Sequence, residues 1–244
     1  FWESIEHDEY REPFLGGGAV FWAKNKVKYN WLNDIDKELI DTLIFIKNKK
    51  DRDRLIRMLK GEKEALRQKY NFVKNLKPRN KLEKVYKFYY LNRTSYSGKM
   101  RNPTWGYRPK RSLPPFRWKE RIIPCGEKLQ NVKLTSIDFD AAIKAPPKGK
   151  RVLMFLDPPY FLNNQRCHYK HPFTLKDHLR LVKTLKDTRF AFFLTYDDCP
   201  KIRDLYNWAH VYELAFYYRL NNSKDSGNKR KIGNEIVITN YKIN

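Results

Sequence analysis

Between Arg151 and Tyr160 the chain reads RVLMFLDPPY, five large apolar residues in a row followed by an acid, two prolines and an aromatic ring. A strand that is apolar at every position, not at alternate ones, has to be buried on both faces. That is the condition of a parallel strand with helices above and below it. RFAFFLTYDD (189–198) repeats the pattern. Between the two, TLKDHLRLVKTLKD (174–187) is amphipathic, with Leu175, Leu179, Val182 and Leu185 expected on its buried side. Thr174 and Asp177 form a variant capping box at its start. A strand–helix–strand unit of this kind sets its strands parallel.

Upstream the same order recurs. EYREPF (9–14) reads as a short strand that breaks at Gly16, Gly17 and Gly18, and AVFWAK opens a helix. VKYNWLND (27–34) is a second strand ending in polar residues, followed by a helical pattern through Leu39, Leu43 and Ile46. From Lys47 to about Tyr90 the pattern is helical and strongly basic, with Leu55, Ile56, Leu59, Leu66, Tyr70 and Val73 as the expected buried stripe. Residues 92–121 have no steady period and are rich in glycine, proline, rings and arginine. NVKLTSIDF (131–139) then reads as a strand and a polar turn, and KIRDLYNWA as a helix. YELAFYYRL (212–220) and EIVITNY (235–241) read as two strands joined by a polar loop. The expected organisation is a three-layer, Rossmann-like α/β domain of residues 1–49 and 126–244, its sheet mostly parallel with an antiparallel C-terminal strand pair. A basic helical and irregular lobe at 50–125 interrupts it. The chain's 244 residues suffice for one domain with such an insert.

The formal charge is +24, and residues 47–121 hold 25 Lys or Arg against 6 Asp or Glu. A charge so concentrated suits a polyanion lying across one lobe; a solvated basic helical surface is the plainer alternative. Other classes fit poorly. Cys125, Cys167 and Cys199 are too scattered for a disulfide framework or a zinc site, so a reducing compartment is expected. His168, His171 and His178 have no convincing partner set for a metal, and none is expected. No apolar run approaches a membrane span, and FWESIEHDEY lacks the pattern of a signal peptide.

The two turns carry the chemistry. Three glycines between a strand and a helix allow a sharp bend and an unhindered backbone with exposed N–H groups, although a merely flexible turn has the same composition. Asp34, at the end of the second strand, stands where a ribose diol is held by two hydrogen bonds, or serves an ordinary Asn-Asp turn. Together they favour a cofactor carrying an adenosine, whose adenine Asp138 and Phe139 would meet. In Asp-Pro-Pro-Tyr the prolines stiffen the backbone, leaving the Asp157 carboxylate and the Pro158 carbonyl as acceptors beside the flat face of Tyr160. An exocyclic amine on an aromatic ring is a poor nucleophile. Two acceptors aimed at its hydrogens, with stacking to hold the ring, would localise its lone pair. A rigid surface turn is the structural alternative.

EPFLGGGAVF (12–21) and DPPY (157–160), in that order, resemble the cofactor and catalytic motifs of the Dam-like, D12 class of S-adenosylmethionine-dependent DNA adenine-N6 methyltransferases. LNRTSYSG (91–98), TYDD (195–198) and NEIVITNY (234–241) are similar to further segments of that family, and the likeness runs over nearly the whole chain. The resemblance implies a class I methyltransferase fold with S-adenosylmethionine as cofactor. The backbone of Phe14, Leu15, Gly16, Gly17 and Gly18 would cradle its methionine part, Asp34 its ribose, and Asp138 with Phe139 its adenine. Asp157, Pro158 and Tyr160 would serve the target adenine, with Asp157 also facing the cofactor. Family members usually carry a lysine-containing WxGGK-like segment upstream, expected here to lie ahead of Phe1; altered cofactor binding is the alternative.

The resemblance makes double-stranded DNA the expected partner. Arg93, Ser95, Tyr96, Lys99, Arg101, Arg108, Lys110, Arg111 and Arg117 are the candidate contacts. Trp105, Tyr107 or Phe116 are candidates to fill the gap left by an adenine turned out of the stack, or else core rings. Thr195, Tyr196 and Asp198 are candidates to line the target pocket. RNA adenine methylation and a catalytically silent DNA-binding member remain the alternative readings. The expected setting is a restriction–modification system, with a cognate endonuclease as functional partner, or else a solitary methylase, in the cytoplasm of a prokaryote or in the host cell of a virus. The expected state is a monomer.

Overall fold

The computed structural model describes residues 5–162, 170–217 and 232–243. Cys167, His168 and most of the polar loop between the last two strands lie outside the described residues. In chain order the elements begin with β1 (Glu9–Glu12), α1 (Ala19–Ala23), β2 (Tyr29–Asn33), α2 (Lys37–Lys47) and α3 (Lys49–Leu59). There follow α4 (Arg67–Asn75), α5 (Lys81–Thr94), α6 (Lys119–Lys128), β3 (Val132–Thr135), α7 (Phe139–Lys144) and β4 (Val152–Leu156). The chain ends with α8 (Leu175–Asp187), β5 (Ala191–Asp197), α9 (Pro200–Leu205), β6 (His210–Tyr217) and β7 (Ile232–Thr239). No helix among the described residues is long and apolar enough to cross a membrane.

The elements group into two compact units, residues 1–35, 137–166 and 171–244 in one, 36–136 and 167–170 in the other. In the first, strands lie in the order β2-β1-β4-β5-β7-β6. β1 pairs parallel with β2 and β4, and β4 with β5; β7 then runs antiparallel to both β5 and β6. This is the mostly parallel sheet with an antiparallel C-terminal pair that the apolar runs imply. Leu153, Met154, Leu156, Phe192, Leu194, Ile236 and Ile238 are buried within it.

β1 lies inside the sheet, between β2 and β4, although three of its four residues, Glu9, Arg11 and Glu12, have ionic side chains. Each has partners. Arg11 pairs with Glu9 at 2.7 Å and donates to the carbonyls of Ala142 (3.1 Å), Ala145 (2.8 Å) and Pro146 (3.1 Å). Its guanidinium lies between the rings of Trp31 and Phe190, at 5.1 and 4.9 Å. Glu9 accepts the N–H groups of Lys148 and Gly149. A buried charge so engaged is tolerated where a bare one is not.

α8 starts at the expected capping box of Thr174 and Asp177. Its buried side is turned from the expected one: His178, Leu181, Val182, Thr184 and Leu185 face inward, while Leu175 and Leu179 are exposed. The polar members are accommodated because His178 Nδ1 lies 2.7 Å from the Tyr196 hydroxyl and Thr184 donates to Asp140.

The second unit holds α2 to α6 and β3 around a ring-rich core with Trp118 and Tyr90 at its centre. The 50–125 lobe lies inside it. Leu55, Leu59, Tyr70 and Val73 are buried as expected and Ile56 is partly so, but Leu66 is exposed because it precedes α4 as its cap. Asp36, Asn48 and Asn80 cap α2, α3 and α5 with side-chain oxygens that accept backbone N–H groups. α6 begins in a stretch expected to be irregular. Its Gly126 packs so closely on Arg52 and the carbonyl of Ile46 that any β-carbon would collide with them.

Candidate active site

β1 delivers the chain into the glycine turn, and β1 and β4 are parallel neighbours. The glycine turn and the Asp-Pro-Pro-Tyr turn therefore leave the sheet side by side at one edge, about 5 Å apart at the strands. Gly16 and Gly18 have φ of 47° and 64°, the left-handed region that suits glycine. A β-carbon on Gly18 would meet Trp22 Nε1 at 2.8 Å, whereas Gly16 and Gly17 face open space. The Trp22 indole straps the turn by donating to the Gly17 carbonyl at 2.9 Å. Asp34, following β2, accepts the Gly16 N–H at 2.8 Å, so this carboxylate and the glycine backbone share one corner.

Asn33, fully buried, ties the segments that follow β1 and β2 to the one that leads into α7. Its amide donates to the carbonyls of Pro13 (3.0 Å) and Ile137 (2.9 Å), and its oxygen accepts the Ile137 N–H (3.0 Å). Phe14, Asp34 and Asp138 are thereby gathered in one place. Ile35 and Ile137, both exposed, add apolar surface next to the two acids. Asp138 caps α7 through the Asp140 N–H (2.9 Å) and pairs with Arg180 (2.7 Å). The ring of Phe139 is buried, stacked on Phe14 with centroids 5.2 Å apart, and Arg180 lies 4.8 Å over it. Asn33 and Arg180 had no signal in the sequence, since their roles depend on partners in distant segments.

Under the glycine turn Glu12 is buried and accepts the Phe21 N–H (2.8 Å) and the Tyr10 hydroxyl. Burial pushes its carboxyl up to about 7, the Asp157 charge adding to the effect, while the bonds from Tyr10 and Phe21 and the Lys24 charge oppose it.

In the second turn Asp157 accepts a hydrogen bond from Thr195 Oγ1 at 2.7 Å. Solvent reaches this residue, yet protein atoms crowd the carboxyl itself. That desolvation raises it above the usual carboxylate range, against the Thr195 bond, with the negative charge of Glu235 adding to the rise. Pro158 is buried and Tyr160 half-buried, its ring 6.1 Å from that of Tyr196. Of the three pocket candidates on β5 and just beyond it, only Thr195 reaches the turn's acid. Tyr196 is buried against His178, and Asp198 is taken by Arg203 at 2.6 and 2.8 Å.

In the second unit α5 ends at Thr94 and the chain turns back on itself. Ser95 bridges to Trp105, and the N–H groups of Tyr96 and Gly106 donate to the carbonyls of Thr104 (2.8 Å) and Thr94 (2.9 Å). Ser97, Gly98 and Asn102 take positive φ at the tip. Arg93, Tyr96, Arg108, Lys110 and Arg111 are exposed, and Lys99 and Arg101 partly so. Ser95 does not join this surface, because the fold-back buries it. Arg117 is exposed but paired with Glu120 at 2.8 Å. Tyr107 is a core ring and Trp105 packs on it and on Tyr70, which leaves Phe116 as the exposed ring of the three.

The model of the D12 class of N6 adenine-specific DNA methyltransferases matches residues 3–219. A type II methyltransferase of Lactococcus lactis subsp. cremoris is 27% identical, over 97% of this chain and 87% of its own length. One from Paramecium bursaria Chlorella virus is 28% identical over 94% and 88%, and one from Methanocaldococcus jannaschii 28% identical over 96% and 88%.

Proposed function

The chain belongs to the D12 class of N6 adenine-specific DNA methyltransferases, and from that premise we propose that it draws the methyl group from S-adenosylmethionine held at the glycine turn and passes it to an adenine presented to Asp157, Pro158 and Tyr160. The observation that supports this most is the parallel pairing of β1 with β4, which sets the two turns beside each other at one sheet edge. Ligands of open α/β sheets bind at such strand ends.

The first turn suits the cofactor. Gly16 and Gly17 leave room that side chains would fill, Asp34 offers a carboxylate for a ribose, and Phe14, Ile35 and Ile137 offer apolar surface for a purine. Bound there, S-adenosylmethionine supplies a methyl group activated on a sulfonium sulfur. Asp157 and the Pro158 carbonyl accept the two N–H bonds of the adenine amine and turn its lone pair toward that methyl. Transfer there would form a nitrogen–carbon bond as the carbon–sulfur bond breaks, and would make the amine acidic. Asp157, held above the usual carboxylate range, is suited to receive its proton.

Turning a base out of the duplex costs a few kcal/mol, and stacking on Tyr160 returns about 1–3 kcal/mol. The exposed cations Arg93, Arg108, Lys110 and Arg111, with the partly exposed Lys99 and Arg101, supply phosphate contacts. The type II names of the relatives favour a restriction–modification role alongside a cognate endonuclease, in a prokaryotic cytoplasm or a virus-infected cell. The chain acts on double-stranded DNA as a monomer.

The test is transfer from labelled S-adenosylmethionine to unmethylated genomic DNA and, in parallel, to RNA, by the wild-type protein and by Asp157→Ala. N6-methyladenine in DNA, lost in the variant, is the expected result. Label in RNA alone, or DNA binding with no transfer, would overturn the proposal.

A further inference from the structure

We infer that Asp197 is a positioning residue for methyl transfer, the clamp that holds the Asp-Pro-Pro-Tyr turn in its working shape; the inference rests on the catalytic reading of that turn. β4 and β5 are parallel and in register through Leu156 and Leu194, so they reach the sheet edge together. β4 stops there and turns, while β5 continues to Asp197. Thr195 and Asp197 are two residues apart in a strand, so both project to one face.

Thr195 takes the front of the turn, through Asp157. Asp197 takes the back: its Oδ1 accepts the Phe161 N–H at 2.8 Å and its Oδ2 the Leu162 N–H at 2.6 Å. The turn is thus pinned at both ends by one strand. It has little means of fastening itself, because two of its four residues are prolines without an N–H. Two consecutive N–H groups call for two acceptor oxygens on a short side chain, which is what an aspartate presents. These bonds are charge-assisted and short. Asp198 beside it has a different job, since Arg203 occupies both of its oxygens. The clamp is reinforced from the far side, where the Phe161 ring packs edge-on against buried His178 at 5.2 Å. Rotating the backbone at 161 and 162 would swing the Tyr160 ring and the Pro158 carbonyl, the groups that hold the adenine.

Asp197→Asn and Asp197→Ala test this, the first keeping size and one acceptor while presenting an amide donor to the second N–H. With genomic DNA as substrate, kcat should fall about 10- to 100-fold, the scale expected when a reacting group is slightly misplaced. The KM for S-adenosylmethionine should stay within about twofold, because the cofactor turn is untouched. Hydrogen exchange in the peptide covering 157–162 should quicken in the variants. A merely structural role would instead lower kcat, cofactor affinity and melting temperature together, and that pattern overturns the inference. So does a variant with wild-type kcat and unchanged exchange. If alanine prevents folding, the asparagine variant carries the test. An inactive wild type would sink the function proposed above, while the exchange measurement would still report whether Asp197 clamps the turn.

Discussion

Glu12 allows the electrostatics of this site to be tested in the opposite direction from ordinary acid denaturation. Its carboxyl is raised from 4.5 to about 7, by burial first and by the Asp157 charge in addition. A raised carboxyl means that the folded protein binds a proton more tightly than the unfolded chain. Stability therefore decreases as pH rises from 4.5 to 7, the interval over which the folded state must bury a charge that the unfolded state exposes. At about 1.4 kcal/mol per tenfold change in proton affinity, the full cost above pH 7 is about 3 kcal/mol. Glu12→Gln keeps the shape and an oxygen able to accept from Phe21 and Tyr10 but removes the charge. The measurement is urea unfolding of both proteins at pH 5, 6, 7 and 8. Titrating groups that do not interact with Glu12 are common to both and cancel in the difference. The variant should gain on the wild type by about 2–3 kcal/mol between pH 5 and 8. A difference that is flat over that range, or that runs the other way, would refute the reasoning: Lys24, whose ammonium lies 4.3 Å from the Tyr10 ring, would then be compensating the Glu12 charge in full.

Three further outcomes follow from contacts described above. Arg11→Met should destabilise by about 3–5 kcal/mol in urea, since it leaves Glu9 buried without its cation, and a loss below about 1 kcal/mol would mean that the pair is dispensable. Thr174→Ala should cost about 1 kcal/mol by removing the cap of α8, read as a shift of the unfolding midpoint at constant slope. Lys99→Ala and Arg101→Ala should each flatten the plot of log affinity for duplex DNA against log salt by about 1, and an unchanged slope would place these cations away from the phosphates.

The residues proposed to touch ligands were legible in the sequence, and those that position them were not. A glycine turn and a proline turn are local: the backbone needs those residue types whatever the rest of the chain does. The same holds for β4 and β5, whose unbroken apolar runs announce burial on both faces. β1 was legible as a strand but not as a buried interior one, because burying Glu9 and Arg11 makes sense only with partners from Ala142 to Gly149, more than a hundred residues away. A similar distance hid Asn33, which holds Ile137, and a shorter one, 36 residues, hid Asp197, which holds Phe161. Helix α8 was legible in part: Val182 and Leu185 are buried as expected, but Tyr196 and Asp140 made it possible to bury His178 and Thr184 with them, and Leu175 and Leu179 are exposed. In the basic lobe, charge identified the surface but could not sort the rings. Trp118 and Tyr107 fill the core beneath a segment with no period, and Phe116 does not. Most of these misses are polar or aromatic side chains whose place depends on a partner elsewhere in the chain. A substitution at Asn33 or Asp197 should therefore act by shifting Phe14, Asp34 or Tyr160 while removing no ligand-touching group. For Asp197 the separation of kcat from cofactor KM can detect that behaviour, and a stability measurement alone cannot.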